Sequence, residues 1–207
     1  MKNLLLPALL LSSIFLLSSC QKMMYKVFFD VKKPTYQNEA QILEFLSKNK
    51  YPNENLYGIS PDAHNKRIGK AVSSVAYFTN SQIYNRDGFL VSAKDTAISE
   101  CWGKTYEFYK NIADNSQLNI DSTQSVYADT LVMNNLVNLS GHKQAVFSVE
   151  DYDYTVVVFW ATFLGKLSRQ NIELGQLVKL YNPALKIQVI QINMDYRTYW
   201  EDKNRLK

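Results

Sequence analysis

The run Thr155-Val156-Val157-Val158-Phe159-Trp160 is continuously β-branched or aromatic. A run of this kind lacks the polar alternation of a half-buried strand and suits a central strand covered on both faces. Covering both faces demands other layers of structure, and a chain of 207 residues that is 46% apolar can supply them. From Leu164 to Tyr181 the residues Leu167, Leu174, Leu177, Val178 and Tyr181 fall near helical spacing, and Asn182-Pro183 ends the pattern. Leu185–Met194 then gives a second strand, with Ile187, Val189 and Ile192 apolar. Strand, helix and strand with short links predict a right-handed βαβ unit with parallel strands.

The preceding chain is less regular. Tyr25–Val31 is expected to be a strand. Asn38 and Gln41 have capping-box spacing ahead of Ile42, Phe45 and Leu46, which predicts a helix stopping near Lys50, before Pro52. Asn55–Ile59 is a short strand candidate ended by Pro61, and the polar stretch 61–67 is expected to be a loop. Val72–Phe78 and Gly88–Val91 are expected to form a β-hairpin across the turn signal Asn85-Arg86-Asp87-Gly88. A helix over 94–113 would pack Ala97, Ile98, Cys101, Tyr106, Phe108, Tyr109 and Ile112. The polar residues 114–124 suggest a loop. Short strands are expected at Ser125–Met133 and Gln144–Val149, with Gly141 and His142 marking a turn before the second.

The first 20 residues stand apart from the rest. Lys2 opens a basic start, and Leu4–Leu17 is apolar except for Pro7, Ser12 and Ser13. A membrane-crossing helix needs about 20 apolar residues, so this run has the length of a secretory h-region instead. It ends in Leu17-Ser18-Ser19-Cys20, which resembles the bacterial lipobox. That resemblance implies a signal peptide over 1–19, acylation (palmitate) of Cys20 and a lipid-anchored protein of the cell envelope. More than one acyl chain makes a lasting anchor. Residues 20–37 would form the lipidated cysteine and its tether or strand, and 38–207 the folded domain. Gln21, in place of an Asp after Cys20, favours delivery to an outer membrane by the same resemblance.

The formal charge is +4, from 23 basic and 19 acidic residues, and the lysines and arginines are scattered. No dense basic patch argues for nucleic acid. Lys26, Lys32 and Lys33 lie close to the anchor and are expected to be solvated, or to touch anionic headgroups at about 1 kcal/mol each. The chain has two cysteines. With Cys20 committed to lipid, Cys101 has no partner within the mature chain. It is expected to be a buried structural residue. The alternative is an exposed thiol that exchanges with a partner.

The segment Val156–Leu167, which contains Phe159-Trp160-Ala161-Thr162-Phe163-Leu164-Gly165-Lys166-Leu167, resembles the thioredoxin-like thiol–disulfide oxidoreductases of bacterial envelopes. In that family an apolar strand runs into Phe-Trp-Ala-Thr-Trp, followed by Cys-Gly-Pro-Cys at a helix start. Here Phe163 stands for the second Trp, Leu164 for the first Cys, Lys166 for the Pro and Leu167 for the second Cys. The likeness covers about 45 residues and extends to the strand that ends at Asp195. It implies an α/β fold, with a thioredoxin-like sheet flanked by helices. Too little chain follows Asp195 for the family's final hairpin and helix. The strand–strand–helix section at 72–113 resembles that final part, so a circular permutation is expected, with Val72–Phe78 beside Thr155–Trp160. Ser73 or Ser74 stands nearest the place of the family's cis-proline.

Dithiol exchange needs an activated thiolate and a second, resolving thiol. Leu164 and Leu167 supply neither, so no catalytic residue and no cofactor is expected at this degenerate motif. The two leucines are expected to pack the helix end or to contact a partner. The reading that follows is a membrane-anchored domain that binds an envelope protein without catalysis; the alternative is a monothiol redox enzyme using Cys101. His64 and His142 have no second ligand at metal spacing and are expected in solvated turns. Glu150, Asp151 and Asp153 form a small acidic cluster expected to be a solvated turn. Neither a phosphate-binding glycine loop nor a nucleophile elbow occurs in the sequence.

Overall fold

The computed structural model describes residue 27 and residues 29–70, 81–93, 102–114, 118–126, 135–139 and 148–200. In chain order its elements are β1 (Tyr36–Gln37), α1 (Glu39–Lys48), β2 (Leu56–Ile59), α2 (Pro61–Lys70), β3 (Gln82–Asn85), β4 (Phe89–Ala93) and α3 (Trp102–Lys110). They continue with β5 (Leu118–Ser125), β6 (Leu136–Val137), β7 (Tyr154–Trp160), a single 3-10 turn (Thr162–Leu164), α4 (Lys166–Tyr181), β8 (Ile187–Asn193) and β9 (Tyr196–Arg197).

Among the described residues one open, mixed sheet of seven strands runs β5-β4-β3-β7-β8-β2-β6, and β1 pairs with β9 in a separate small sheet. The apolar run is the centre of the large sheet. β7 lies parallel to β8, with Tyr154 opposite Ile187 and Trp160 opposite Asn193, and antiparallel to β3. Helix α4 links β7 to β8, as the sequence pattern requires. Successive side chains of a strand point to opposite faces. Val156, Val158 and Trp160 accordingly join one buried cluster with Ile42 and Leu46 of α1, Tyr109 of α3 and Ile172 and Val178 of α4. Val157 and Phe159 join a second cluster with Ala63 of α2, Phe163 and Leu164. Full burial of a valine or phenylalanine side chain is worth roughly 1.5–3 kcal/mol, and β7 contributes such side chains to both clusters.

Local chemistry explains the neighbouring elements. At the start of α1 the Asn38 side chain accepts from the Gln41 N–H at 2.9 Å, and the Gln41 side chain accepts from the Asn38 N–H at 2.8 Å. This reciprocal cap fixes two of the backbone groups that a helix start leaves unpaired. The Phe45 ring of α1 stacks on Trp160, with centroids 5.4 Å apart. Between β3 and β4 the Gly88 N–H donates to the Asn85 carbonyl at 2.9 Å, and Gly88 takes φ +79°. That conformation costs glycine little. At the far end of α4 the Asn182 amide donates to the carbonyls of Val178 at 2.8 Å and Tyr109 at 3.1 Å, tying α3 to α4.

Four expectations are corrected. Residues 61–67 belong to helix α2 and not to a loop: Ser60 precedes Pro61 and Asp62, and its carbonyl and hydroxyl accept from the N–H groups of His64 and Ala63 at 2.9 and 3.4 Å. Proline at the first helical position is favourable because its missing N–H would have no partner there. Residues 118–124 of the expected 114–124 loop are strand β5, polar because it is an edge strand with mostly exposed side chains. The strand expected over Tyr25–Val31 is absent where described, Val27 and Phe29 being helical. The hairpin exists, but its first strand is Gln82–Asn85; Val72–Phe78 lies outside the described residues, as do Gly141, His142 and residues 94–101. No described helix is long and apolar enough to cross a membrane.

Candidate functional site

In open α/β sheets, ligands bind beyond the carboxyl ends of the parallel strands. Here β2, β7 and β8 run parallel, and their carboxyl ends lead into Ser60, Ala161 and Met194. The corner after β7 is tightly tied. The Ser168 hydroxyl of α4 donates to the Ala161 carbonyl at 2.6 Å and accepts from the Ala161 N–H at 2.9 Å. The Thr162 N–H donates to the Asp195 carboxylate at 2.9 and 3.0 Å, and the Thr162 hydroxyl donates to it at 2.8 Å. Asn193 adds its amide at 2.7 Å. Burial pushes the Asp195 carboxyl up from the usual carboxylate range; the hydrogen bonds from Thr162 and Asn193 and the nearby positive charge of Arg197 pull the other way without overcoming it.

This corner holds Leu164 and Leu167. Leu164 is only 1% exposed and belongs to the core cluster with Phe163, Ala161 and Met194. Leu167 is half-buried against the same cluster. Gly165 has φ +55°, and a Cβ there would press on the carbonyl oxygens of Phe29 and Asp30. The chain ahead of β1 therefore lies over the start of α4. The Lys32 N–H donates to the Phe163 carbonyl at 2.7 Å, and Val31 packs on the core cluster. Lys32 and Lys33 are exposed.

A second group of residues lies beyond β8. His64, expected in a solvated turn, is instead on α2 and 0% exposed, with its Nε2 2.9 Å from the Met194 carbonyl oxygen. Its ring sits edge-on to Tyr196 and Trp200, with centroids 4.8 and 4.7 Å away. The local sequence does not show this burial, because Ser60-Pro61 can end a strand as well as start a helix and the partners of His64 come from residues 194–200. Arg197 is also buried, at 1% exposure, against Gly58 of β2. Arg197, Tyr196 and Trp200 carried no motif in the sequence; their one signal is position, immediately after a parallel strand.

The acidic cluster is a turn held by protein groups. Asp153 pairs with Arg86 at 2.9 Å and accepts from the Lys186 N–H at 2.8 Å, while Asp151 is exposed. Among the described residues no group of acidic, histidine or cysteine side chains is arranged to hold a metal ion. Cys20, Cys101, His142, Lys26, Ser73 and Ser74 lie outside the described residues. Compared with family models, with curated proteins and with solved structures, the chain matches none.

Proposed function

We propose that the chain is a lipid-anchored protein of the bacterial envelope whose thioredoxin-like domain, in circularly permuted order, binds a protein partner and performs no dithiol exchange. The observation that carries the non-catalytic reading is the position of Leu164. A redox cysteine must present a thiolate to its substrate, whereas this position is filled by an apolar side chain packed in the core, at a corner overlaid by residues 29–32. Filling the site with packing keeps the scaffold and removes the chemistry.

The permuted reading is supported by the sheet. The hairpin β3–β4 precedes the βαβ unit in sequence, yet β3 lies directly beside β7 in one sheet. The helix that follows this hairpin, α3, packs with α4 against the same face of that sheet. These are the places the family's final hairpin and helix would take if they were moved ahead of the motif.

The anchor reading rests on Leu17-Ser18-Ser19-Cys20 and the apolar run before it. It is tested by metabolic labelling with palmitate and by fractionation: Cys20→Ala should abolish the label and release the protein from the membrane. For function, disulfide reduction is measured with the full-length protein and with Cys101→Ser. No turnover above background in either is expected. Turnover that disappears in Cys101→Ser overturns the reading in favour of a monothiol enzyme. Crosslinking in cells should recover one specific envelope protein, and recovery of none removes the binding role.

A further inference from the structure

Residues 29–32 are fixed to the corner after β7. The Lys32 N–H donates to the Phe163 carbonyl at 2.7 Å, Val31 packs on the cluster of Phe163 and Leu164, and the carbonyls of Phe29 and Asp30 close over Gly165. Phe29 stands nine residues after Cys20. Extended chain spans at most about 3.3–3.6 Å per residue, so an anchor at Cys20 holds this corner within about 30 Å of the bilayer. Because the strap is bonded to the domain and does not hang from it, the anchor also sets which edge of the sheet is near the membrane.

The side chains at this corner suit an anionic surface. Lys32, Lys33 and Lys166 are all exposed. Lys166 follows Gly165, so the backbone contact between residues 29–32 and 163–165 brings these three lysines to one corner from distant parts of the chain. Lys32 has one acid in reach, Asp30 at 3.8 Å, with side chains 69% and 50% exposed; an ion pair this open to water is weak. Among the described residues Lys33 and Lys166 have no ion-pair partner. Lys166 is the first residue of α4, whose first turn holds no acid and whose start has no side-chain cap. A helix start carries partial positive charge, so a lysine there is disfavoured by its own helix; a negative surface outside the protein offsets that. Val27, two residues before Phe29, adds a 66% exposed apolar side chain.

We infer that residues 29–33 and the start of α4 dock on an anionic phospholipid surface through Lys32, Lys33 and Lys166, turning the carboxyl edge of the parallel strands toward the membrane. The inference rests on the anchor reading. A lipid surface is broad, so it needs these charges at one corner and not at one point, and each gains from the negative surface potential. Lys179, near the end of α4, and Lys186, just before β8, are exposed at the opposite edge and face away from the bilayer.

The test uses the full acylated chain, inserted from outside into vesicles of phosphatidylcholine alone or of phosphatidylcholine and phosphatidylglycerol in equal parts. After flotation, exposed lysines are acetylated with a water-soluble reagent and read by mass spectrometry. Lys32, Lys33 and Lys166 should react several-fold more slowly on the phosphatidylglycerol vesicles, and the difference should vanish at high salt. Lys179 and Lys186 should react equally on both. Lys166→Gln leaves two reporters in place and should cut the protection of Lys32 and Lys33 by about fivefold, as loss of one lysine near an anionic surface predicts. Unchanged protection in that variant removes Lys166 and with it the docked corner. Equal reactivity of the three lysines on the two vesicles, in protein that floats, overturns the docking and leaves the anchor standing. Equal slowing at Lys179 and Lys186 overturns the orientation. A chain that carries no acyl group and stays behind when the vesicles float removes the anchor and the docking together.

Discussion

Both carboxylate oxygens of Asp195 lie within 3.0 Å of the Thr162 backbone nitrogen. This contact joins the end of β8 to the corner after β7, across the parallel pair that forms the middle of the sheet. Asp195→Ala leaves the Thr162 N–H and hydroxyl and the Asn193 amide without their acceptor. At about 1–3 kcal/mol for a buried unmade bond, the variant should lose at least 2 kcal/mol in denaturant unfolding. A loss below 0.5 kcal/mol means that water replaces the carboxylate and that the corner is open.

The same residue sets a pH dependence. Burial raises the Asp195 carboxyl above its ordinary value, so the folded state binds its proton more tightly than the unfolded chain does. Its contribution to stability is then fully present below the unfolded value of about 3.9 and is lost as pH rises through the folded value. Melting temperatures of wild type and Asp195→Asn, compared from pH 4 to 7, should show the wild type falling relative to Asn as pH rises. A constant difference would refute the raised carboxyl.

Leu164→Ala should cost about 2–5 kcal/mol, the usual range for a fully buried leucine. The paired change Leu164→Cys and Leu167→Cys creates the spacing of a dithiol motif. It should give no reduction of a disulfide substrate, because the first thiol is buried in the core beside a corner that residues 29–32 overlie. Turnover in that variant would show that the corner opens to substrates.

Gly165→Ala meets two obstacles, a positive φ and the carbonyls of Phe29 and Asp30. The strain of the backbone alone is about 1–3 kcal/mol. Relief is simplest by displacing residues 29–32, so limited proteolysis should cut in this segment at least several-fold faster than in wild type. Equal cleavage rates would mean that α4 shifts instead.

Gly175 brings α4 against the sheet: a Cβ there would stand 2.8 Å from a Val158 methyl and 3.1 Å from one of Val189. Gly175→Ala should cost about 1–3 kcal/mol by overpacking, despite alanine's better helix propensity. Combined with Val158→Ala, part of that cost should be recovered. A double-mutant cycle by chemical denaturation should give a favourable coupling of roughly 0.5 kcal/mol or more, and strict additivity would place the clash elsewhere.

Legibility followed the strength of local chemistry. The Thr155–Trp160 run, the Asn38/Gln41 cap and the Asn85–Gly88 turn each carry their physical cause within a few residues, and all three form as read. Strand β5 was hidden because an edge strand needs no apolar face to pay for its place; its hydrogen bonds to β4 come from distant chain. Helix α2 was hidden because Pro61 can end a strand or start a helix, and only the packing of Ala63 and His64 beneath it selects the second.

By itself, the sequence determined a central buried strand, the parallel βαβ unit and the leucines at 164 and 167, since each depends on residue type and spacing along a short stretch. Tertiary structure alone decided that Leu164 is core, that residues 29–32 lie over Gly165, and that His64, Asp195 and Arg197 are buried at one edge of the sheet. Those facts depend on which distant segments meet, and burial and unpaired charge are properties of that meeting and of no single stretch of chain.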